Sequence, residues 1–271
     1  MSVKKEASGR RSIQVEIEVP GTPEQVWQAI ASESGISAWF VPAEFEEKDG
    51  KPVAVKLDFG PGMESRSVVT AWEPQRKFAR EGAGWVPGSP PIATEFSIEA
   101  RSGGVCVVRV VQSLFSSTDD WDAQLTGAEG GWPGIFRILR LYLAHFRGQK
   151  AAIMQVMAPV AGTAAEAWAT LTTGLGLKGV AAGQRWTAPS GVPALGGVME
   201  YYSESPYGAL LRLDKPGPGT VGVGTIEFGD TVMANLTFYM YGDKAAATVA
   251  RETPRWQAWM QECFPMPTGA R

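Results

Sequence analysis

The sequence predicts an α+β fold of two tandem domains, each a curled antiparallel sheet wrapped on a long C-terminal helix, with a divergent second copy. The first observation is length, because 271 residues exceed one average domain. The second is a helix-start motif that occurs twice. The third is the order of elements after each motif, in which strand-like runs precede a helix that carries tryptophan.

The repeated motif begins a helix in both halves. Residues 20–30 read PGTPEQVWQAI, and residues 161–171 read AGTAAEAWATL. The identical pairs are Gly21 with Gly162, Thr22 with Thr163, and Trp27 with Trp168. Threonine is a good N-cap, and Gln25 and Glu166 stand where a capping-box partner belongs. A chance match between Ala-rich helices is the alternative to a duplication. A second shared feature supports the duplication, because residues 72–74 (WEP) and 204–206 (ESP) both lie between strand-like runs.

The strands of the first copy are predicted from alternating apolar residues. Residues 101–104 (RSGG) form a hairpin turn before residues 105–114, which are apolar on both faces. The residues expected to share a face within each strand are Ile13, Val15, Ile17 and Val19; Val53, Val55, Leu57 and Phe59; Val68, Thr70 and Trp72; and Thr94, Phe96 and Ile98.

A sheet with one wet face must cover its other face, and the C-terminal helix of the copy is long enough to do so. Its apolar residues recur at helical spacing. They are Trp132, Ile135, Phe136, Leu139, Tyr142, Leu143 and Phe146. The predicted order of elements is therefore β-α-α-β-β-β-β-β-β-α. We predict a flexible tail over 1–11, one domain over 12–149, the divergent copy over 150–265, and a second tail over 266–271.

Three runs of the first copy together resemble a known family. Residues 22–40 read TPEQVWQAIASESGISAWF, residues 70–79 read TAWEPQRKFA, and residues 119–146 read DDWDAQLTGAEGGWPGIFRILRLYLAHF. They are similar to the START-like (SRPBCC) helix-grip superfamily, in the branch named for the C-terminal domain of the activator of the 90-kDa heat-shock-protein ATPase. The resemblance covers roughly residues 12–148, and the second half shares it only through the repeat.

The resemblance implies a cavity between the curled sheet and the C-terminal helix that holds lipids, polyketides or other apolar molecules. The residues expected to line it are Trp39, Phe40, Trp72, Phe96, Phe136, Leu139, Tyr142 and Leu143. Its few polar groups would be Tyr142 with Arg80 or Arg109, of which Arg109 is placed in the predicted site. The equal alternative is that these residues pack as a solid core.

Residue types needed for side-chain catalysis are scarce. His145 is the only histidine, Cys106 and Cys263 are distant, and zinc-ligand spacing is lacking. The acidic cluster Asp119, Asp120 and Asp122 is interpreted as a helix start, capped by Ser117, Thr118 and Asp119, and not as paired catalytic carboxylates. Residues 174–179 (GLGLKG) follow a predicted helix, so they fail the context of a dinucleotide-binding motif. We predict no catalytic residue, no metal and no cofactor.

The partners and location follow from charge and hydropathy. The net charge is −3 with mixed signs, which argues against nucleic acid. Residues 135–146 contain two arginines, so we predict no membrane span, and cysteine usage predicts a cytoplasmic location. The leading hypothesis is a binding protein for an apolar small molecule without a catalytic step. The alternatives are a polyketide cyclase or aromatase-like enzyme, and a chaperone-ATPase regulator or protein-interaction module, with a homodimer or chaperone contact as partner.

Overall fold

Two units make up the chain in the computed structural model, residues 1–150 and residues 151–271. The structure describes residues 3–60, 62–84, 88–204, 207–228 and 231–265. Each unit has an antiparallel sheet and a long helix after its last strand, so the predicted α+β class with tandem domains is confirmed. The predicted C-terminal tail, 266–271, lies outside the described residues.

The first unit contains an eight-stranded sheet in the order β1-β2-β8-β7-β6-β5-β4-β3. Its strands are β1 Lys4–Lys5, β2 Arg10–Pro20, β3 Ala43–Lys48, β4 Lys51–Asp58, β5 Glu64–Glu73, β6 Lys77–Gly82, β7 Ile92–Arg101 and β8 Val105–Phe115. Its helices are α1 Pro23–Ile30, α2 Glu33–Ile36 and α3 Asp122–Leu141, and α3 continues as a π-helical turn over Tyr142–Phe146.

The second unit contains a six-stranded sheet in the order β10-β11-β12-β13-β14-β9. Its strands are β9 Ala151–Val160, β10 Arg185–Thr187, β11 Gly196–Glu204, β12 Tyr207–Lys215, β13 Gly219–Phe228 and β14 Thr231–Tyr241. Its helices are α4 Ala164–Gly174 and α5 Ala245–Cys263. The long first strand of each unit pairs with that unit's last strand, β2 with β8 and β9 with β14, which is the same topology twice.

Both repeated motifs form the expected helix starts. The Gln25 backbone N–H donates to Thr22 Oγ1 at 3.3 Å, and the Thr22 N–H donates to Gln25 Oε1 at 2.9 Å. Thr163 and Glu166 make the same reciprocal pair at 3.3 and 2.8 Å. The capping boxes satisfy backbone donors that the first turn leaves without partners. The other repeated feature pairs residues 72–74 with residues 204–206, and residues 205–206 lie outside the described residues.

The N-terminal region differs from the predicted tail. Lys4–Lys5 pairs with β2, and Arg11 is only 7% exposed. Its guanidinium bonds Asp119 and Asp122, each at 2.7 Å, and Lys5 reaches the same two carboxylates. The acidic residues therefore form ion pairs, and α3 begins after Trp121 without a side-chain cap. The prediction of a helix cap was wrong because the opposite charges on the N-terminal strands lie within reach.

A bulge changes which residues of β5 face the core. The register with β6 shifts between Val69 and Ala71, so Trp72 pairs with Phe78 on the inner face. Val68 lies on the other face and is 52% exposed. The predicted shared face of Val68 and Trp72 was wrong, because an inserted residue reverses the alternation. A similar shift opposite Glu46 and Glu47 leaves Val53 exposed while Ala54 and Val55 are buried.

Candidate functional site

The inner face of the first sheet carries a continuous set of aromatic rings. Trp72 meets Trp27 edge-on at 5.0 Å and Phe78 at 5.4 Å. Phe96 lies 5.5 Å from Trp132 of α3, also edge-on. Such offset and edge-to-face contacts stabilise a core beyond the burial of ring area. They join the sheet, α1 and α3 into one packed aromatic layer.

A small recess opens where α1, α2 and the segment after them meet strands β4, β6 and β7. Its free space is about 10 Å³, the room of a single water molecule. Its lining residues are Ile30, Ile36, Trp39, Phe40, Leu57, Phe78, Arg80 and Phe96. Phe40 is held between the face of Trp132 at 5.8 Å and the edge of Phe59 at 5.6 Å. The recess therefore lies beside the helical corner after β2, whereas the prediction placed the cavity against the C-terminal helix.

Three of the predicted site residues line this recess, namely Trp39, Phe40 and Phe96. The remaining predicted lining residues, apart from Arg109, pack elsewhere in the core of the first unit. Trp72 is half-buried there. The buried ones are Phe136, Leu139, Tyr142 and Leu143. The Tyr142 hydroxyl accepts a hydrogen bond from the Gly148 N–H at 3.1 Å, and burial raises its pKa. Its polar atom thus fixes the end of the π-helical turn and lies outside the recess lining.

Arg109 was predicted wrongly as a polar group of the cavity. It lies on the outer face of β8, where its Nε donates to Glu16 Oε1 at 2.8 Å. Val108 and Val110, its neighbours in the strand, are fully buried on the opposite face. Since the sequence of β8 is apolar at positions on both faces, alternation alone did not assign the inner one.

Arg80 is the charged group that faces the recess. It lies on β6 between Val69 of β5 and Thr94 of β7, and its Nη1 donates to Ser67 Oγ at 2.9 Å. Arg80 is half-buried, and desolvation by the surrounding protein lowers the pKa of its guanidinium to about 10. Among the residues that the structure describes, no carboxylate forms an ion pair with it. The recess thus combines aromatic walls with one uncompensated cation.

Ser67 reaches Arg80 because of the glycine opposite it. Ser67 pairs with Gly82 across the β5–β6 ladder. A Cβ at position 82 would come within 2.5 Å of the Ser67 Oγ and 2.9 Å of the Arg66 carbonyl oxygen. Any side chain there would push away the hydroxyl that holds Arg80, so Gly82 is a structural requirement of this corner.

A row of buried polar side chains continues from Arg80 across the inner face. The Trp132 Nε1 donates to Gln112 Oε1 at 2.8 Å, and the Gln112 Nε2 donates to Thr94 Oγ1 at 3.3 Å. Thr94 and Gln112 are cross-strand partners on β7 and β8. Buried polar groups are costly unless they are hydrogen-bonded, and here each has a partner. Sequence reasoning missed Ser67 and Gln112, although a glutamine inside the apolar run of β8 was the available signal.

The second unit has a hydrophobic core of its own. Its inward strand residues, together with α4 and α5, bury Trp168, Trp256 and Phe238 among aliphatic side chains. The buried Glu252 carboxylate is paired with Arg251 at 2.8 Å and Arg255 at 3.0 Å.

The part of the chain that is described shows no group of three or more metal-ligating side chains. None of its helices is long and apolar enough to cross a membrane.

The first unit is similar in sequence to a known protein family. A family model described as "Activator of Hsp90 ATPase homolog 1-like protein" matches residues 20–144. Over these residues, which make up most of the first unit, the chain is similar to that family. The match contains α1, α2, strands β3 to β8, all of α3 and part of the π-helical turn, so the resemblance predicted from three sequence runs is confirmed. The comparison with curated proteins gave no match.

Solved structures resemble either one unit or the whole chain. The di-domain ARO/CYC BexL from the BE-7585A biosynthetic pathway is 11% identical with a TM-score of 0.45, and the alignment covers 93% of this chain and 95% of that one. DynU16, from the dynemicin biosynthetic locus, is 14% identical with a TM-score of 0.43, covering 93% and 98%. Protein MLL2253 from Mesorhizobium loti is 24% identical with a TM-score of 0.44, covering 50% and 98%. At these identities and scores, the similarities carry no argument about what this chain binds.

Proposed function

We propose that the first unit binds a small, mostly apolar molecule in the recess beside α1 and α2. The observation that carries this proposal is the composition of the lining, which has seven apolar side chains and one arginine, Arg80. Concave apolar sites with a few convergent polar groups are typical of small-molecule binding. The START-like fold of the unit supports the same proposal.

Binding requires the recess to enlarge, because its present room is that of one water molecule. Phe40 is the side chain best placed to move. It follows the short helix α2, it is only half-buried, and it contacts Phe59, which is 38% exposed. Rotation of the Phe40 ring away from Trp132 would open the recess next to Arg80 without disturbing the sheet.

The test uses N-phenyl-1-naphthylamine, a neutral apolar probe that fluoresces when it leaves water. We expect saturable binding of one probe per chain. Leu57→Phe adds volume to the lining of the recess and should abolish that binding. Leu125→Phe is the matched control, because Leu125 is equally buried but lies outside the lining.

Two results would overturn the proposal. One is a folded wild-type protein, verified by circular dichroism, that shows no saturable probe binding. The other is a folded Leu57→Phe variant that binds the probe as tightly as the Leu125→Phe control does.

A homodimer or chaperone contact and a cytoplasmic location remain predictions from the sequence, as does the absence of a catalytic step.

A further inference from the structure

The charge of Arg80 indicates what kind of molecule the recess takes. The guanidinium has five N–H donors, and among the described residues the one side-chain acceptor bonded to it is the Ser67 hydroxyl at 2.9 Å. The other groups around it are the backbone partners Val69 and Thr94 and the apolar lining. Taking a cation away from water is unfavourable unless an anion or several acceptors replace the lost hydration.

The neighbouring polar groups cannot supply that compensation, because they bond each other. Thr94 accepts from Gln112, and Gln112 accepts from Trp132. Both acceptors are neutral, so even a rearranged row would leave the positive charge of Arg80 unbalanced. The carboxylates that pair with arginines of this unit, such as Glu16 with Arg109 and Glu46 with Arg66, lie on exposed surfaces.

We infer that the molecule bound in the recess is an amphiphile with an oxyanion, of the carboxylate class, that pairs with Arg80 while its apolar body lies against Phe40 and Phe96. This inference rests on the proposed function. Guanidinium and carboxylate groups match in geometry and form two parallel charge-assisted hydrogen bonds. The water-sized space beside Arg80 has the room that one carboxylate oxygen needs. The lowered guanidinium pKa is consistent with a cation that lacks a protein counter-charge.

The experiment compares two competitors of nearly equal size, 2-naphthoate and 2-naphthalenemethanol, for displacement of bound N-phenyl-1-naphthylamine at neutral pH. We expect the acid to displace the probe from the wild-type protein at a concentration roughly tenfold or more below that of the alcohol, because hydrogen bonds to charged groups are the stronger ones. Arg80→Gln should keep probe binding and lose this preference, since glutamine keeps an amide donor but no charge. Arg109→Gln, on the outer face of the sheet, should leave the preference unchanged.

The outcomes separate the inference from the proposed function. Equal displacement by the acid and the alcohol in the wild-type protein would overturn the inference and leave the binding function intact. A preference that persists in Arg80→Gln, or that disappears in Arg109→Gln, would also overturn it. Failure of the probe itself to bind would instead reject the proposed function. If Arg80→Gln does not fold, Arg80→Lys retains the charge, and the preference for the acid should be retained at a reduced value; its complete loss would contradict the inference.

Discussion

The two units share one topology and differ in what they place on the inner face of the sheet. In the first unit, Ser67, Arg80, Thr94 and Gln112 form a polar row on the strands beside the aromatic rings. In the second, three of the four buried polar residues that the structure describes, Thr172, Thr248 and Glu252, lie on the helices, and the Glu252 carboxylate has two arginine partners. A few inward polar positions therefore turn part of a packed core into a candidate binding site.

The largest effect is expected from removing a core tryptophan in each unit. Trp256→Ala should cost about 3–5 kcal/mol of unfolding free energy, because the ring is fully buried against Phe238 and Trp259. Trp132→Ala should cost a similar amount. Calorimetry with probe titration should then show a contrast: Trp132→Ala strengthens probe binding, because it removes the ring against which Phe40 rests when the recess is closed, and Trp256→Ala leaves the probe affinity unchanged. Equal probe affinities in the two variants would contradict the assignment of the site to the first unit.

The next prediction concerns an arginine in each unit. Arg80→Met should leave the ligand-free protein as stable or raise its stability by about 1 kcal/mol, because it removes a desolvated charge that lacks a counter-ion. Arg212→Met should not stabilise the protein, because Arg212 forms an ion pair with Glu200 at 2.7 Å. Urea unfolding of the two variants measures the difference. A clear loss of stability in Arg80→Met would show that the guanidinium is compensated within the fold.

The helix starts of the two units are expected to behave alike. Thr22→Ala and Thr163→Ala should each cost about 1 kcal/mol, because each removes one side of a capping box. Thr→Ser at either position keeps the hydroxyl, so it should lower the stability much less than Thr→Ala does. Thermal unfolding of the four variants checks this. A cost confined to one unit would mean that the two motifs have lost their structural equivalence.

The smallest effect is a pH dependence of the first unit. Lys5 and Arg11 hold the pKa values of Asp119 and Asp122 below their usual range. Because the folded-state pKa is lowered, the pairs stabilise the protein fully above the unfolded-state pKa, about 3.9, and that contribution is lost as the pH falls through the lower folded-state values. The double variant Asp119→Asn, Asp122→Asn should therefore be less stable at neutral pH and lose less stability on acidification. Parallel acid-unfolding profiles for the variant and the wild type would contradict this account.

Local chemistry made the helix starts predictable, and long-range pairing made the site difficult to predict. Thr22 and Thr163 act through residues three positions away, so their role is visible in the sequence. The inner face of β5 depends on a bulge opposite β6, which places Trp72 inward and Val68 outward, and no local pattern indicated it.

The polar residues of the site show the same limit. Arg80 and Arg109 both lie in strands of mixed composition, and only the register of the sheet places the first inward and the second beside Glu16. Gln112 could have been noticed as a polar residue within the apolar run of β8. Its partners, Thr94 and Trp132, come from a neighbouring strand and from α3, so the network itself required the fold.

A crystal structure of the full chain with 2-naphthoate would show whether the recess in the first unit holds an oxyanion amphiphile at Arg80. We expect the naphthalene ring to lie against Phe40 and Phe96, with carboxylate oxygens about 2.7–2.9 Å from the Arg80 guanidinium nitrogens. Phe40 should have rotated away from Trp132 to admit the ring. A naphthoate bound with its carboxylate away from Arg80, or a recess that stays closed at saturating ligand, would contradict the claim.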